Sequence, residues 1–195
     1  MSALNFSLRP ARVEEAAIVA GAIAEASGGY APLAWSALAG DGDLHATGAR
    51  CCAADDGPHS WRNALVLETQ DGAVAGVLLG CAAAQVPPVA AVLGADGSDL
   101  CAPVRMQVPD TWLLVGMTIF SPWRNYGLGH RLLVQACSQA RAAGFDRVSL
   151  IACEHNPATR LYRREGFTVV ERRPILPHPL LAYAGDVLLM VRALS

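Results

Sequence analysis

The apolar residues of the chain recur with two periods, one typical of strands and one typical of helices. Residues 6–9 alternate apolar and polar positions as a strand does, and Pro10 ends the pattern. Residues 13–26 carry apolar side chains at helical spacing before two glycines stop the helix. Residues 30–62 are rich in Gly, Ala and Asp, and they predict only short helices and loops.

The middle of the chain predicts a hairpin, a long loop and a central strand. Two apolar runs, at residues 63–69 and 74–83, flank Asp71-Gly72, a turn pair common in antiparallel hairpins. Residues 86–109 contain several prolines and glycines without a sustained period, so we expect a long loop there. Residues 111–120 are almost wholly apolar, which predicts a central strand covered on both faces.

The last third predicts a strand-helix-strand unit, then a helix and a strand pair. After the central strand, one helical face carries an apolar stripe of Leu132, Leu133, Ala136, Cys137 and Ala140. Residues 147–153 return as a strand, and a crossover of this length makes the two strands parallel neighbours. Asn156-Pro157 favours a helix start, and residues 167–172 and 186–191 read as a closing pair. The length fits a single domain over residues 1–195.

Composition narrows the compartment and the cofactors. Hydrophobic residues make up 53% of the chain, but Gly, Pro or charge interrupts each run before the ~18 apolar residues that a membrane span needs. The first ten residues lack the basic and apolar regions of a secretory signal. Six cysteines show neither a CxxC pair nor metal-ligand spacing. We therefore expect a cytoplasmic protein with no membrane partner and no metal.

Charge is divided unevenly between the two halves. Residues 1–100 carry four Arg and eleven acidic residues, a net charge of −7, whereas residues 101–195 carry eleven Arg and six acidic residues, a net charge of +5. The arginines are scattered without a dense run or interleaved aromatics, so nucleic acid is not an expected partner. A compact polyanion such as a nucleotide phosphate suits the basic half better.

Arg124-Asn125-Tyr126-Gly127-Leu128-Gly129 lies between the central strand and the following helix. The glycines permit a tight turn, and the first N–H groups of a helix have no partner inside it, so such a turn can bind a phosphate group. The chain has no lysine for a phosphate-loop NTPase, and Leu132 stands where a dinucleotide fingerprint has its third glycine. A Gly-x-Gly turn alone does not choose the ligand.

The residues around this turn resemble motifs A and B of the GNAT acetyltransferases. The likeness is strongest over residues 112–170 and includes Asn156, Leu161-Tyr162 and Gly166-Phe167. It implies an α/β fold with a mixed, mostly antiparallel central sheet and flanking helices. In that fold, the strands that end near Ile119 and Cys153 splay apart to admit the pantetheine arm of the co-substrate, acetyl-coenzyme A. The resemblance further implies acetyl transfer to a primary amine of a small molecule or protein, and it is compatible with a homodimer.

Carried over residue by residue, the resemblance assigns a cofactor site and one catalytic group. Backbone groups at Met117, Thr118 and Ile119 would pair with the pantetheine, and one N–H would support the thioester oxygen. Asn156 would contact the same arm, and Tyr162 would lie near the sulfur as general acid. The residues that would cradle the pyrophosphate are Arg124, Asn125, Tyr126, Gly127, Leu128, Gly129 and His130.

The base that accepts the amine proton is left open, because the central strand lacks the Glu that many relatives keep there. Glu68 and Glu154 are candidates, and His155 and His178 are further ones. Two other hypotheses also stay open. The chain could be a non-catalytic acyl-CoA-binding or sensing module that kept the turn and lost the base, or a nucleotide-binding enzyme of another fold.

Overall fold

The computed structural model describes residues 5–194, and seven of its strands form one sheet in the order β1-β2-β3-β4-β5-β7-β6. The pairing of β4 with β5 is parallel and the other five pairings are antiparallel, so the expected mixed, mostly antiparallel sheet is confirmed. The strands are β1 (Phe6–Pro10), β2 (Ala64–Thr69), β3 (Val74–Ala82), β4 (Trp112–Ile119), β5 (Arg147–Cys153), β6 (Thr168–Pro174) and β7 (Asp186–Ala193).

Five α-helices flank the sheet in the described part of the chain: α1 (Ala16–Ala26), α2 (Tyr30–Ala39), α3 (Leu44–Ala53), α4 (Leu128–Ala142) and α5 (Ala158–Arg164). The region predicted as short helices and loops thus contains two regular helices of ten residues each. Alanine occupies both buried and exposed positions there, which hides the helical period from a hydrophobicity pattern. Within residues 5–194, no helix is both long enough and apolar enough to cross a membrane.

The strands on the β2–β3 side are covered on both faces. Val66, Val77 and Leu79 pack in one cluster with α1, α2 and α3. Leu67 and Leu78, which alternate with them in sequence, pack on the opposite face with α4 and α5. Because successive strand residues point to opposite faces, this alternation produces three layers, with the sheet between two sets of helices.

Strand β4 lies at the centre of the sheet, as predicted, and contains a bulge. Leu79 of β3 is opposite Gly116 of β4, but the next residue, Gly80, is opposite Leu114, so Val115 is an extra residue in β4. Val115 packs in the α1-side cluster, and a Cβ on Gly116 would also point at α1. A bulge bends a strand and re-aims its side chains, so the second half of β4 takes a new direction.

Strands β4 and β5 separate at this bulge. Their ladder contains three residue pairs, from Trp112 opposite Val148 to Leu114 opposite Leu150. Both strands continue past the last pair, β4 to Ile119 and β5 to Cys153. The sheet therefore opens between the carboxyl-terminal halves of its two central strands.

The loop at residues 86–109 follows the prediction, since it contains only a short 3₁₀ turn and an isolated bridge. Its second half is nevertheless packed: Leu100, Cys101 and Met106 are buried in a third apolar cluster with parts of α2, β5 and β7. Arg105 donates to the carbonyl of Val89 and pairs with Asp99, which holds the loop together. The loop is thus an ordered cover for one end of the sheet.

Candidate active site

A cavity of about 160 Å³ lies where β4 and β5 part. The two strands contribute consecutive residues to it, five from Leu113 to Met117 and four from Leu150 to Cys153. The other walls come from α1, α2, the loops before β2 and after β3, α5 and β7; they are Ile23, Ala26, Ser27, Tyr30, Ala31, Ala34, His59, Val86, Val89, Val104, Tyr162 and Val187. The opening in the sheet therefore leads into a partly open, mainly apolar space.

The cavity wall carries no formal charge at neutral pH. Of the described residues that line it, none is Asp, Glu or Arg. Burial raises the pKa of Cys153 to about 11 and the pKa of Tyr30 well above its usual value, so both stay protonated. Burial lowers the pKa of His59, which favours its neutral imidazole. Any charge inside this space would have to be brought by a ligand.

Tyr162 is positioned by α5 and its ring is buried. The ring lies 5.9 Å from that of Phe167, centroid to centroid, at a tilted angle of 59°. Burial raises the pKa of the Tyr162 phenol to about 12, because the phenolate would lose its hydration. Tyr162 lines the cavity and keeps its proton at neutral pH, and its predicted role as proton donor remains a prediction.

The turn from Arg124 to Gly129 presents the amino end of α4 to solvent. Asn125 and Gly127 both adopt left-handed backbone conformations, with φ of 68° and 75°. Gly127 is the N-cap of α4, and within the described chain no side chain caps this helix end. The N–H groups of the first helical turn, including those of Leu128 and Gly129, are therefore directed outward with the positive end of the helix dipole. This arrangement is suited to a phosphate group.

The structure supports phosphate binding by the backbone of this turn more strongly than by its side chains. Arg124 donates from Nε to the carbonyl of Ile119 at 2.9 Å and forms an ion pair with Glu25 of α1. The Nδ1 atom of His130 lies 2.9 Å from Oε1 of Glu165, at the end of α5. Tyr126 is 60% exposed. Phosphate contacts by the three cationic or polar side chains stay predictions, and the backbone is the better supported part.

Gly129 keeps α4 close to α5, since a Cβ there would lie 3.3 Å from Cδ2 of Leu161. The backbone at Met117, Thr118 and Ile119 pairs with β3 on one edge, while its other edge faces the space that β5 has left. The hydroxyl of Thr118 is used to fix α1, because it donates to the carbonyl of Ala22 at 2.8 Å. The free edge of β4 is therefore where an extended pantetheine could pair.

Asn156 is part of the start of α5. Its Oδ1 atom accepts from the N–H of Ala158 at 2.9 Å. The helix begins at Ala158, with Pro157 as its N-cap, rather than at Pro157 as predicted. The Thr159 hydroxyl donates to the carbonyl of Glu154 at 3.1 Å and reinforces the same turn. Because this turn follows directly after β5, the amide of Asn156 lies at the rim of the opening, where the predicted cofactor contact remains a prediction.

The four base candidates are absent from the cavity wall, as far as the structure describes it. Glu68 receives two hydrogen bonds of 3.0 Å from Arg9 on β1, and this partner holds the pKa of its carboxyl low. Glu154 lies 3.7 Å from Arg172. His178 accepts at Nδ1 from the N–H of Leu180 at 3.2 Å, and His155 faces Gly185. All four remain predictions without geometric support.

His59 is a polar residue of the cavity that the sequence did not single out. It lies in the loop between α3 and β2, a segment without a recognisable motif, and the structure brings it to the cavity beside strands that are distant in sequence. The one sequence feature that could have pointed to His59 is its position among small and polar residues before Trp61. That signal does not distinguish a site residue from an ordinary loop residue.

The segment between β6 and β7 closes over the junction of α1 and α2. The N–H of Ala182 donates to the carbonyl of Gly28 at 2.9 Å. Gly29 has φ of 101°, and a Cβ there would lie 1.9 Å from the carbonyl oxygen of Leu180. A glycine is therefore required for this close approach, which brings the final loop against the cavity wall at Ser27 and Tyr30.

A comparison with known protein families gives the class of this protein. The model of the acetyltransferase (GNAT) family matches residues 45–167, which is more than half of the chain. The chain therefore belongs to the GNAT acetyltransferase family, and a nucleotide-binding enzyme of another fold is excluded. No curated protein matches the sequence.

Several solved structures share the fold over nearly the whole chain. An acetyltransferase is 19% identical, covers 97% of this chain and 100% of its own, and has a TM-score of 0.64. An N-acetyltransferase from Staphylococcus aureus Mu50 is 16% identical over 95% and 100% of the two chains, with a TM-score of 0.63. A GCN5-related N-acetyltransferase from Kribbella flavida is 18% identical over 97% and 98%, with a TM-score of 0.60. At these identities the likeness describes the fold alone.

Proposed function

We propose that this protein transfers an acetyl group from acetyl-coenzyme A to a primary amine. The observation that carries the proposal is the separation of β4 and β5 beyond Leu114 and Leu150, which joins a free strand edge to an uncharged cavity. The uncapped amino end of α4 comes after the carboxyl end of β4, which is the end where β4 and β5 separate. A long ligand with a polyphosphate at one end and a thioester at the other matches this succession of sites.

In this proposal each part of the site has one task. The backbone N–H groups from Gly127 to Gly129 bind the pyrophosphate, and the free edge of β4 at Met117 to Ile119 pairs with the pantetheine amides. The amine nitrogen attacks the thioester carbon, a C–N bond forms and the C–S bond breaks. Tyr162 donates a hydrogen bond or its proton to the leaving thiolate, and its raised pKa keeps the proton on the phenol until the thiolate forms.

Charge and cysteine chemistry support the same proposal. The net charge of +5 on residues 101–195 favours a polyanionic donor, and the net charge of −7 on residues 1–100 favours a cationic acceptor approaching from outside. The six cysteines are unpaired and five of them are buried, which suits the reducing cytoplasm.

Titration calorimetry with acetyl-CoA, followed by a thiol-release assay with a panel of amines, tests the proposal. Tyr126→Glu places a carboxylate at the exposed turn and should weaken acetyl-CoA binding at least about tenfold, whereas the uncharged Tyr126→Gln should change it little. Acetyl-CoA binding without thiol release on any amine would favour a non-catalytic sensing module. Equal sensitivity of the two variants would argue against phosphate binding at this turn.

A further inference from the structure

We propose that His59 is the general base of the reaction and that the cavity it lines accepts an amine carried on a compact, uncharged, apolar body. The inference rests on the proposed acetyl transfer and adds the proton acceptor and the class of acceptor substrate. Two observations carry it: the position of His59 at the cavity and the uncharged wall of that cavity.

The loop that carries His59 is anchored on both sides of it. The next residue, Ser60, is 1% exposed, and its hydroxyl donates to the carbonyl of Ala54 at 2.7 Å. Asn63 donates from Nδ2 to the carbonyl of Gly57 at 2.9 Å, which ties the other end of the loop. The backbone on both sides of His59 is therefore held in place beside the cavity that this residue lines.

Among the described titratable groups that line the cavity, His59 alone is suited to accept a proton at neutral pH. Tyr30, Cys153 and Tyr162 all have raised pKa values and hold their protons. His59 is shifted in the opposite direction by burial alone, with no contribution from a charged neighbour. Its imidazole is therefore neutral near pH 7, which is the form that a base requires.

The wall of the cavity restricts what the acceptor amine can carry. A substrate carboxylate would find no arginine there, and a second ammonium would find no Asp or Glu, among the described residues that line it. Burying an unpaired charge costs roughly several kcal/mol, so substrates with charged substituents should bind less well.

The size of the cavity limits the acceptor further. Its volume is about 160 Å³. An apolar cavity of about 150 Å³ in another protein binds one benzene ring. Because Met117 and Tyr162, which the proposal places beside the pantetheine arm and the sulfur, also line this cavity, the acceptor shares it with the end of the co-substrate. The part of the acceptor that enters should therefore be no larger than one ring or a short branched chain.

Groups of the site, together with solvent, account for each proton that moves in the step. An acceptor that arrives as an ammonium first loses one proton to solvent. His59 then removes a proton from the nitrogen of the neutral amine as the C–N bond forms, and becomes an imidazolium. Tyr162 gives its proton to the thiolate as the C–S bond breaks, and is reprotonated from solvent when the thiol leaves. The imidazolium has no carboxylate among the described cavity residues to retain its proton, so it returns the proton to solvent and regenerates the base.

Matched amines test the substrate class. The apolar probes are 2-phenylethylamine, cyclohexylmethylamine and isoamylamine; L-phenylalanine adds a carboxylate to the same ring, and spermidine adds further ammonium groups. We expect kcat/KM for the best apolar probe to exceed that for either charged probe at least about 100-fold. Equal or better turnover of L-phenylalanine or spermidine overturns the inference while the proposed acetyl transfer stands. Absence of thiol release with every amine counts against both.

The pH profile of His59→Gln tests the base. In the wild-type protein, kcat/KM should rise with pH through two ionisations, that of His59 and that of the amine; in His59→Gln the first should disappear and kcat should fall at least about tenfold. Calorimetry should give an unchanged acetyl-CoA Kd, which separates a lost base from a lost donor site. For His59→Ala, added imidazole should restore part of the rate. An unchanged pH profile in His59→Gln, or no rescue of a folded His59→Ala, overturns the assignment.

Discussion

The guanidinium of Arg124 forms an ion pair with Glu25, across the gap between the turn before α4 and the end of α1. The same side chain also donates to the carbonyl of Ile119, the last residue of β4. Both partners of the ion pair are about half exposed. A polyphosphate that binds at this turn must therefore compete with a protein carboxylate for Arg124.

The competition predicts opposite effects for the two partners. Glu25→Gln should tighten acetyl-CoA binding about two- to fivefold, because an exposed ion pair contributes at most about 1 kcal/mol. Arg124→Met should weaken binding by a similar factor or more. Calorimetric Kd values at low and at high salt measure both effects, and salt should reduce them. Glu14→Gln, an exposed carboxylate before α1, is the control and should have no effect.

Tyr162→Phe should lower kcat at least about tenfold and leave the Km for acetyl-CoA nearly unchanged, since the hydroxyl acts on the departing sulfur. Because the pKa of Tyr162 is raised to about 12, its deprotonation should produce no fall in rate below about pH 10. Steady-state kinetics over pH 6–10 measure both. Tyr183→Phe, which removes a hydroxyl from the final loop, should retain wild-type kcat. Equal losses in the two variants would contradict a specific role for Tyr162.

Gly80→Ala should destabilise the protein by about 1–3 kcal/mol through overpacking. A Cβ on Gly80 would lie 1.9 Å from the ring atom Cη2 of Trp112, which is buried beside the β4 bulge. Gly21→Ala is a matched change in α1, where a new Cβ meets nothing within 4 Å, and it should stabilise by up to about 1 kcal/mol. Urea unfolding of both variants measures the difference, and a neutral Gly80→Ala would contradict the close approach.

Glu15→Gln should lower the free energy of unfolding at pH 7 by about 1 kcal/mol. Glu15 and Glu68 share Arg9, and its hydrogen bonds hold the pKa of each carboxyl below the usual value. A lowered folded-state pKa stabilises the fold above the unfolded-state pKa, so the effect should fade as the pH drops below about 4.5. The matched variant Asp55→Asn removes an exposed partner of Arg62 and should change stability by less than about 0.5 kcal/mol.

The elements with a strong hydrophobic period were predictable from the sequence, and those built from alanine were not. The stripe of α4 and the apolar β4 were read correctly, because burial on one side or both sides leaves a direct mark on the pattern. Helices α2 and α3 give a weaker hydrophobicity pattern, because their alanines do not separate a buried face from an exposed one. Their starts carry local signals only: α2 follows a glycine in the left-handed conformation, and α3 is capped by Asp43.

For the candidate site, local motifs could be predicted from the sequence, but contacts between residues distant in sequence could not. The turn before α4 and the start of α5 are each encoded within a few residues, so both were found. The contact of Arg124 with Glu25 joins positions 99 residues apart, and His59 reaches the cavity from a loop without a motif. Contacts between residues that are distant in sequence depend on how the layers pack, and a single sequence does not specify that packing.

The short ladder between β4 and β5 also affects how the molecule opens locally and unfolds. With three residue pairs joining β1–β4 to β5–β7–β6, the sheet consists of two antiparallel halves held by a narrow seam. Amide protons along β4 and β5 beyond that seam should exchange with solvent sooner than those of β3 or β7. A ligand that lies between the two halves would supply the missing rungs, so its binding should slow this exchange and make the two halves unfold together.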